Sequence, residues 1–214
     1  MIYEVRTYDC KPQSVPEVEK RFAEAYEHRK KFSPLAAYWH TEIGPLNQVV
    51  HVWPYKDLEE RRKIRDTAMK EGAGKWPPNT AEFMVGQRSD IFLQFEFSPE
   101  LKPGKQGPFF EMRTYTYATG QLPNLTRAWA HALPYRLTHG PVTAVWYSEL
   151  GGLNKFVHIW PYRTLDERWA MREKIRATGD WPPSAAAKKA GLPVYQLTVQ
   201  ENKILMPAAF SPLQ

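Results

Sequence analysis

The side chains best suited to chemistry lie in two short strand-like segments of this sequence. In "YEVRTY", Glu4, Arg6 and Tyr8 share one face, because alternate residues of a strand point to the same side. In "VVHVWPY", His51 and Trp53 share a face in the same way. An imidazole titrates near neutral pH and can transfer protons, whereas charged groups among aromatic rings can bind a small molecule. The first expectation is therefore a small-molecule site.

Both segments recur 107 residues later in the chain. About 24 of the 63 positions in residues 3–65 are identical to their counterparts in residues 110–172, with no gap. This agreement indicates a tandem duplication, so the candidates occur in pairs. We predict catalytic roles for two histidines and two arginines: His51, His158, Arg6 and Arg113. We predict ligand-binding roles for their strand neighbours and for one further tryptophan in each half: Glu4, Tyr8, Trp39, Trp53, Glu111, Tyr115, Trp146 and Trp160.

A purely structural explanation competes with this prediction. Large aromatic residues on a strand usually fill a core, and an Arg–Glu pair present in both halves can be a buried ion pair that satisfies itself. Two arginines four residues apart in the second helical segment, Arg61 and Arg65, repel each other unless they have partners. Glu4 or Glu42 is the simplest partner, and an anionic ligand is the alternative.

Each half has the same order of elements, β-α-β-β-α-β, which is the ferredoxin-like unit. Such a sheet has helices on one face only, so its other face needs a cover. We therefore predict an α+β fold in which two ferredoxin-like repeats pack sheet to sheet as an intrachain dimeric α/β barrel. The predicted boundaries are repeat 1 at 1–99, a Pro- and Gly-rich linker at 100–108, and repeat 2 at 109–214.

The strand patterns also lead to an expectation about which face is which. The aliphatic face, with Val50 and Val52, is expected beneath the helices, and the polar and aromatic face is expected to point into the barrel. Arg6 and Arg113 should then point inward and meet a carboxylate, because an unpaired buried guanidinium is very costly. This arrangement would enclose a partly polar cavity between the halves.

Composition narrows the class of protein. The chain has 214 residues, 43% of them hydrophobic and 14% aromatic, which is enough to bury a core. There is no long apolar run or signal-like segment, and the single cysteine, Cys10, cannot form an internal disulfide. These features indicate a soluble cytoplasmic protein without a membrane partner. The net charge of +6 is interleaved with acidic residues, so no nucleic-acid partner is expected.

Several motifs that would identify a reaction are missing. The sequence has no metal-ligand cluster with recognisable spacing, no phosphate-binding glycine loop and no nucleophile elbow. Cys10 has Tyr117 as its counterpart, which excludes a duplicated nucleophile. We therefore predict no metal site and no cofactor.

The combined segments resemble the NIPSNAP family. The resemblance rests on "YEVRTY", "GPLNQVVHVWPY", "LEERRKIR" and "QRSDIFLQFEFSP", and it covers nearly the whole chain. It implies the dimeric α/β-barrel fold and no particular reaction, because the bacterial members mostly lack an assigned activity. Near the end of repeat 2, "KAGLPVYQLTVQENKILMP" departs from the pattern, so we expect one of the two sites to be altered or lost.

Three functions fit these observations. The first is a cofactor-independent enzyme that acts on a small apolar or aromatic molecule in a barrel cavity. The second is a non-catalytic small-ligand-binding protein, with haem included if His51 or His158 ligates iron. The third is a structural or interaction module whose aromatic residues are core. The two-repeat chain is also compatible with a homo-oligomer.

Overall fold

Eight antiparallel strands close into a ring in the computed structural model, which describes residues 1–214. The strands are β1 Ile2–Cys10, β2 Ala37–Ile43, β3 Gln48–Tyr55, β4 Met84–Gln94, β5 Phe109–Tyr117, β6 Ala144–Leu150, β7 Lys155–Tyr162 and β8 Leu197–Pro207. The helices are α1 Val15–Arg29, α2 Leu58–Glu71, α3 Leu122–Leu137, α4 Leu165–Arg176 and α5 Pro183–Lys189. Each helix is too short or too polar to serve as a membrane span.

Within each repeat the strands have the ferredoxin-like order, β4-β1-β3-β2 in the first and β8-β5-β7-β6 in the second. The repeats join through two further antiparallel pairings, β2 with β8 and β4 with β6. All strand edges are therefore paired, and the predicted intrachain dimeric α/β barrel is confirmed. The short helix α5 was not predicted, and it packs against α3 within the divergent end of repeat 2.

The barrel interior is a close-packed core and contains the aliphatic strand faces. Val5, Val50 and Val52 lie in it together with large rings, and Tyr3 stacks on Trp146 with ring centres 4.5 Å apart. An eight-stranded barrel has an interior just wide enough for side chains to fill or for one small ligand, and here apolar side chains fill most of it. The prediction that the polar and aromatic strand faces point into the barrel is therefore wrong. They face the helices instead, and the partly polar cavity expected between the halves is reduced to about 90 Å³ at one end of the barrel, lined by residues of both repeats.

The second helix of each repeat explains why space remains on the outer side of the sheet. Helix α2 begins at the N-cap Asp57, whose carboxylate accepts from the backbone N–H of Glu60 at 2.8 Å. Along its length α2 buries only Ala68, and α4 buries only Ile175. Helices with so few apolar residues cannot cover the sheet tightly. The gap between sheet and helices is where the candidate sites form.

Candidate functional site

A cavity of about 440 Å³ lies on the outer face of β1 and β3 in repeat 1, beneath α1 and α2. The antiparallel register sets Arg6 opposite His51, and both residues line the cavity. Trp53 and Trp76 form part of its wall, and Met69 of α2 lies at its exposed edge. The site predicted from strand periodicity is thus assembled, but it lies outside the barrel.

Glu4 is the fully buried anchor of the charged side of this site. Its carboxylate accepts hydrogen bonds from Arg6 at 2.8 Å, from Arg61 at 2.7 and 3.0 Å, and from Ser89 Oγ at 2.7 Å. Arg65 lies 3.9 Å away. Burial by itself would raise the pKa of Glu4, but the hydrogen bonds from Arg61 and Ser89 and the charge of Arg6 lower this pKa to about 2.

This cluster tests two of the predictions made for the arginines. Arg6 meets a carboxylate as predicted, although it does so on the helix side of the sheet. Arg61 and Arg65 find their partner in Glu4, which was one of the two residues proposed. A single carboxylate thus faces three guanidinium groups, so the cluster has an excess of positive charge.

His51 is buried and held in one tautomer. The indole N–H of Trp53 donates to His51 Nδ1 at 2.7 Å, and an indole N–H can only donate. The single proton of the neutral ring must therefore be on Nε2, which is buried without a hydrogen-bond partner. Burial, followed by the charge of Arg6, lowers the pKa of His51 to about 3, so the imidazole is neutral at physiological pH.

Arg29 is a site residue that the sequence did not identify as one. It extends from the end of α1, is only 2% exposed, and places its guanidinium carbon 4.6 Å from the centre of the Trp53 ring. Its hydrogen bonds go to the Ser33 carbonyl and the Tyr55 hydroxyl, and not to a carboxylate. The feature of the sequence that could have identified it is an arginine on the apolar face of the first helix in both halves.

Repeat 2 contains the same arrangement around a cavity of about 270 Å³. Glu111 accepts from Arg113 at 2.6 Å and from Arg168 at 2.5 Å, and Arg113 also donates to Tyr115 Oη. Trp160 Nε1 donates to His158 Nδ1 at 2.5 Å. Burial is the main cause that lowers the pKa of His158, and Glu111 also has a lowered pKa. The second site is altered in size, as its divergent sequence led us to expect, but its polar residues are kept.

Trp39 and Trp146 do not belong to either site. Both are fully buried in the barrel interior, where Trp39 packs against Phe110. The ligand-binding role predicted for these two tryptophans is therefore wrong. On β2 the neighbouring Tyr38 faces the helices instead, and it stacks beside His51. The error arose because the facing of this strand is not evident from its pattern, in which apolar residues occupy both sides.

Comparison with known proteins agrees with the duplicated architecture. The NIPSNAP family model matches twice, over residues 3–99 and 110–212. The chain is 27% identical to the "Protein NipSnap homolog" of Dictyostelium discoideum, covering 96% of this chain and 87% of the relative. It is 29% identical to "Protein NipSnap homolog 3A" of Homo sapiens, covering 100% and 86%.

Among solved structures, a Fusobacterium nucleatum protein described as a candidate monooxygenase superimposes with a TM-score of 0.63. The superposition covers 96% of this chain and 91% of that protein at 11% identity. At this level of identity the likeness concerns the fold alone.

Proposed function

This chain belongs to the NIPSNAP family, and we propose that each repeat binds a small organic anion with an aromatic or apolar body. The observation that carries the proposal is the charge of the cavity wall. In repeat 1 the wall includes Arg6, Arg29 and Arg65 and no carboxylate. Glu4 lies beneath the wall and is already shared among several guanidinium groups. An anionic ligand would supply the missing negative charge.

The remaining wall suits a flat apolar body. Phe22, Trp53 and Trp76 surround the cavity and contact one another edge to face or tilted, with ring centres between 5.6 and 6.4 Å apart. A volume of about 440 Å³ falls within the usual range for small-molecule pockets. An apolar wall with a few charged groups is the ordinary composition of such sites.

His51 supports binding better than proton abstraction. With a pKa of about 3 and Nδ1 occupied by Trp53, the imidazole has no free basic nitrogen at neutral pH. Its Nε2–H is instead an unpaired donor. The same geometry does not fit haem, because an iron ligand would need Nε2 unprotonated, with the Nδ1–H donating to an acceptor.

Catalysis on the bound anion is a second candidate, favoured by the position of His51 opposite Arg6 in the cavity wall. A neutral imidazole can stabilise negative charge that develops on a substrate oxygen. In this role, His51 with Arg6 in repeat 1, and His158 with Arg113 in repeat 2, would stabilise charge and not move protons. The test is to measure both binding and turnover of the anion in His51→Phe. Turnover should be lost, and binding should be kept.

Each repeat supplies one of the proposed sites, and both repeats belong to one chain. We propose that the functional unit is the single chain, with repeat 1 at 1–99, the linker at 100–108 and repeat 2 at 109–214. The only cysteine is buried and unpaired, which suits a reducing compartment such as the cytoplasm.

The binding proposal is tested with benzoate and its neutral analogue benzyl alcohol. The indole ¹H–¹⁵N signals of Trp53 and Trp76 report on the pocket, and benzoate should shift them at lower concentration than benzyl alcohol does. Arg65→Met should weaken benzoate binding on the order of tenfold by removing one guanidinium of the wall. The matched control is Arg62→Met on the same helix, where Arg62 is exposed and lies outside the wall. Equal binding of the anion and the neutral analogue would contradict the proposal.

A further inference from the structure

We propose that the two pockets select ligands of different charge: the repeat 2 pocket takes a compact organic dianion, and the repeat 1 pocket takes a larger monoanion. This inference rests on the proposed anion-binding function, because it assigns a ligand class to each pocket of that function. Two differences between the pockets lead to it, namely charge and size.

The difference in charge comes from one pair of equivalent positions near the ends of α2 and α4. Met69 lines the repeat 1 cavity, and its counterpart 107 residues later is Arg176, which lines the repeat 2 cavity. The repeat 2 wall therefore contains four arginines, against three in repeat 1, and again no carboxylate. The four are Arg113, Arg136, Arg172 and Arg176.

The difference in size comes from larger aromatic residues in repeat 2. Trp129 occupies the place that Phe22 has in repeat 1. Tyr195, from the divergent segment before β8, adds a further ring to the wall. The cavity is correspondingly about 270 Å³, compared with about 440 Å³. A ligand of the second pocket must therefore be smaller.

The guanidinium groups of repeat 2 share one buried carboxylate, as those of repeat 1 do, but they are more numerous. Arg172 has its nearest carboxylate oxygen, on Glu111, at 3.9 Å, which is longer than a hydrogen bond and equals the distance between Arg65 and Glu4 in repeat 1. Burial, followed by the positive charge of Arg113, lowers the pKa of Arg172. Glu111, beneath this wall, is already bonded to Arg113 and Arg168, so Arg176 adds a positive charge that no carboxylate of the wall balances. A ligand with two negative charges relieves this repulsion better than one with a single charge.

The test compares benzoate with phthalate, which differs from it by one carboxylate, on the wild-type chain. Each pocket has its own indole reporters: Trp53 and Trp76 in repeat 1, and Trp160 and Trp181 in repeat 2. The barrel tryptophan Trp146 serves as a reporter that should not shift. We expect the preference for phthalate over benzoate to be about tenfold or more higher at repeat 2 than at repeat 1.

Exchanging Met69 and Arg176 tests whether the difference in charge causes the difference in ligand preference. Arg176→Met should reduce phthalate affinity at repeat 2 about tenfold and leave the repeat 1 reporters unchanged, whereas Met69→Arg should raise phthalate affinity at repeat 1. Both positions are at exposed edges, so folding should be preserved. Equal preferences in the wild type, or no effect of Arg176→Met, would overturn the inference and leave the binding proposal standing. If neither anion shifts any pocket indole, the binding proposal itself fails.

Discussion

Replacing Glu4 by Gln should destabilise the fold by an amount that depends on pH. The carboxylate is fully buried and its pKa is lowered from 4.5 to about 2. A difference of this size between the unfolded and folded values corresponds to about 3 kcal/mol of stability at pH 7. Glutamine keeps the shape but not the charge, so Glu4→Gln should lose about that amount, since it leaves Arg6 and Arg61 without a counter-ion.

The pH dependence has a definite sign. Because the folded pKa lies below the unfolded value, the contribution is complete above about pH 4.5 and is lost as the pH falls through about 2. At pH 3 the difference between wild type and Glu4→Gln should therefore shrink to about 1 kcal/mol. Urea unfolding of both proteins at pH 7 and pH 3, followed by tryptophan fluorescence, measures this change.

Glu59→Gln is the matched control. The pKa of Glu59 is also lowered to about 2, by its hydrogen bond with Arg62, but this pair is exposed on the surface of α2. Solvent screens such a pair, so the urea midpoint of Glu59→Gln should equal that of the wild type. An equal loss for Glu4→Gln at both pH values would refute the reasoning, because it would show packing and not charge to be the cause.

Other outcomes follow from the same geometry. Trp146→Ala should destabilise the barrel by about 3–5 kcal/mol in urea unfolding, because this side chain is fully buried. The benzoate-induced shift of the Trp53 indole signal should be unchanged. Loss of that shift in the folded variant would place Trp146 at the site. Benzoate affinity should be flat between about pH 5.5 and 8, since His51 is neutral throughout; a titration near pH 6.5 would contradict its lowered pKa. Residues 1–99 expressed alone should be a homodimer or insoluble in light scattering, because β2 and β4 would lose their partners; a folded monomer would contradict this.

Strand periodicity predicted which residues share a face, but not which side of the sheet that face occupies. Glu4, Arg6 and Tyr8 do lie together with His51 and Trp53, as alternation requires. Both faces of these strands contain large apolar residues, so pattern alone could not choose between them. The choice depends on the narrow barrel interior, which is filled mainly by packed apolar side chains, and on the polar character of α2.

The rest of the site depends on contacts that a local sequence pattern does not predict. Arg29 was visible on the apolar face of the first helix, but its position over Trp53 results from packing that helix against β3. Trp76 and Trp181 appear in the recurring "WPP" segments, although the spacing between the halves changes there. Their place in the two cavities follows only from the path of the loops after α2 and α4.

Closure of the strand ring has a consequence for how the chain is made. The backbone N–H of Tyr38, on β2, donates to Ser211 just beyond β8, across 173 residues of sequence. During synthesis, β2 and β5 emerge from the ribosome long before β8, so each waits with an unpaired edge. Pairings between such distant segments form slowly. The interval before β8 arrives is therefore when the nascent protein is most exposed to aggregation and most in need of chaperones.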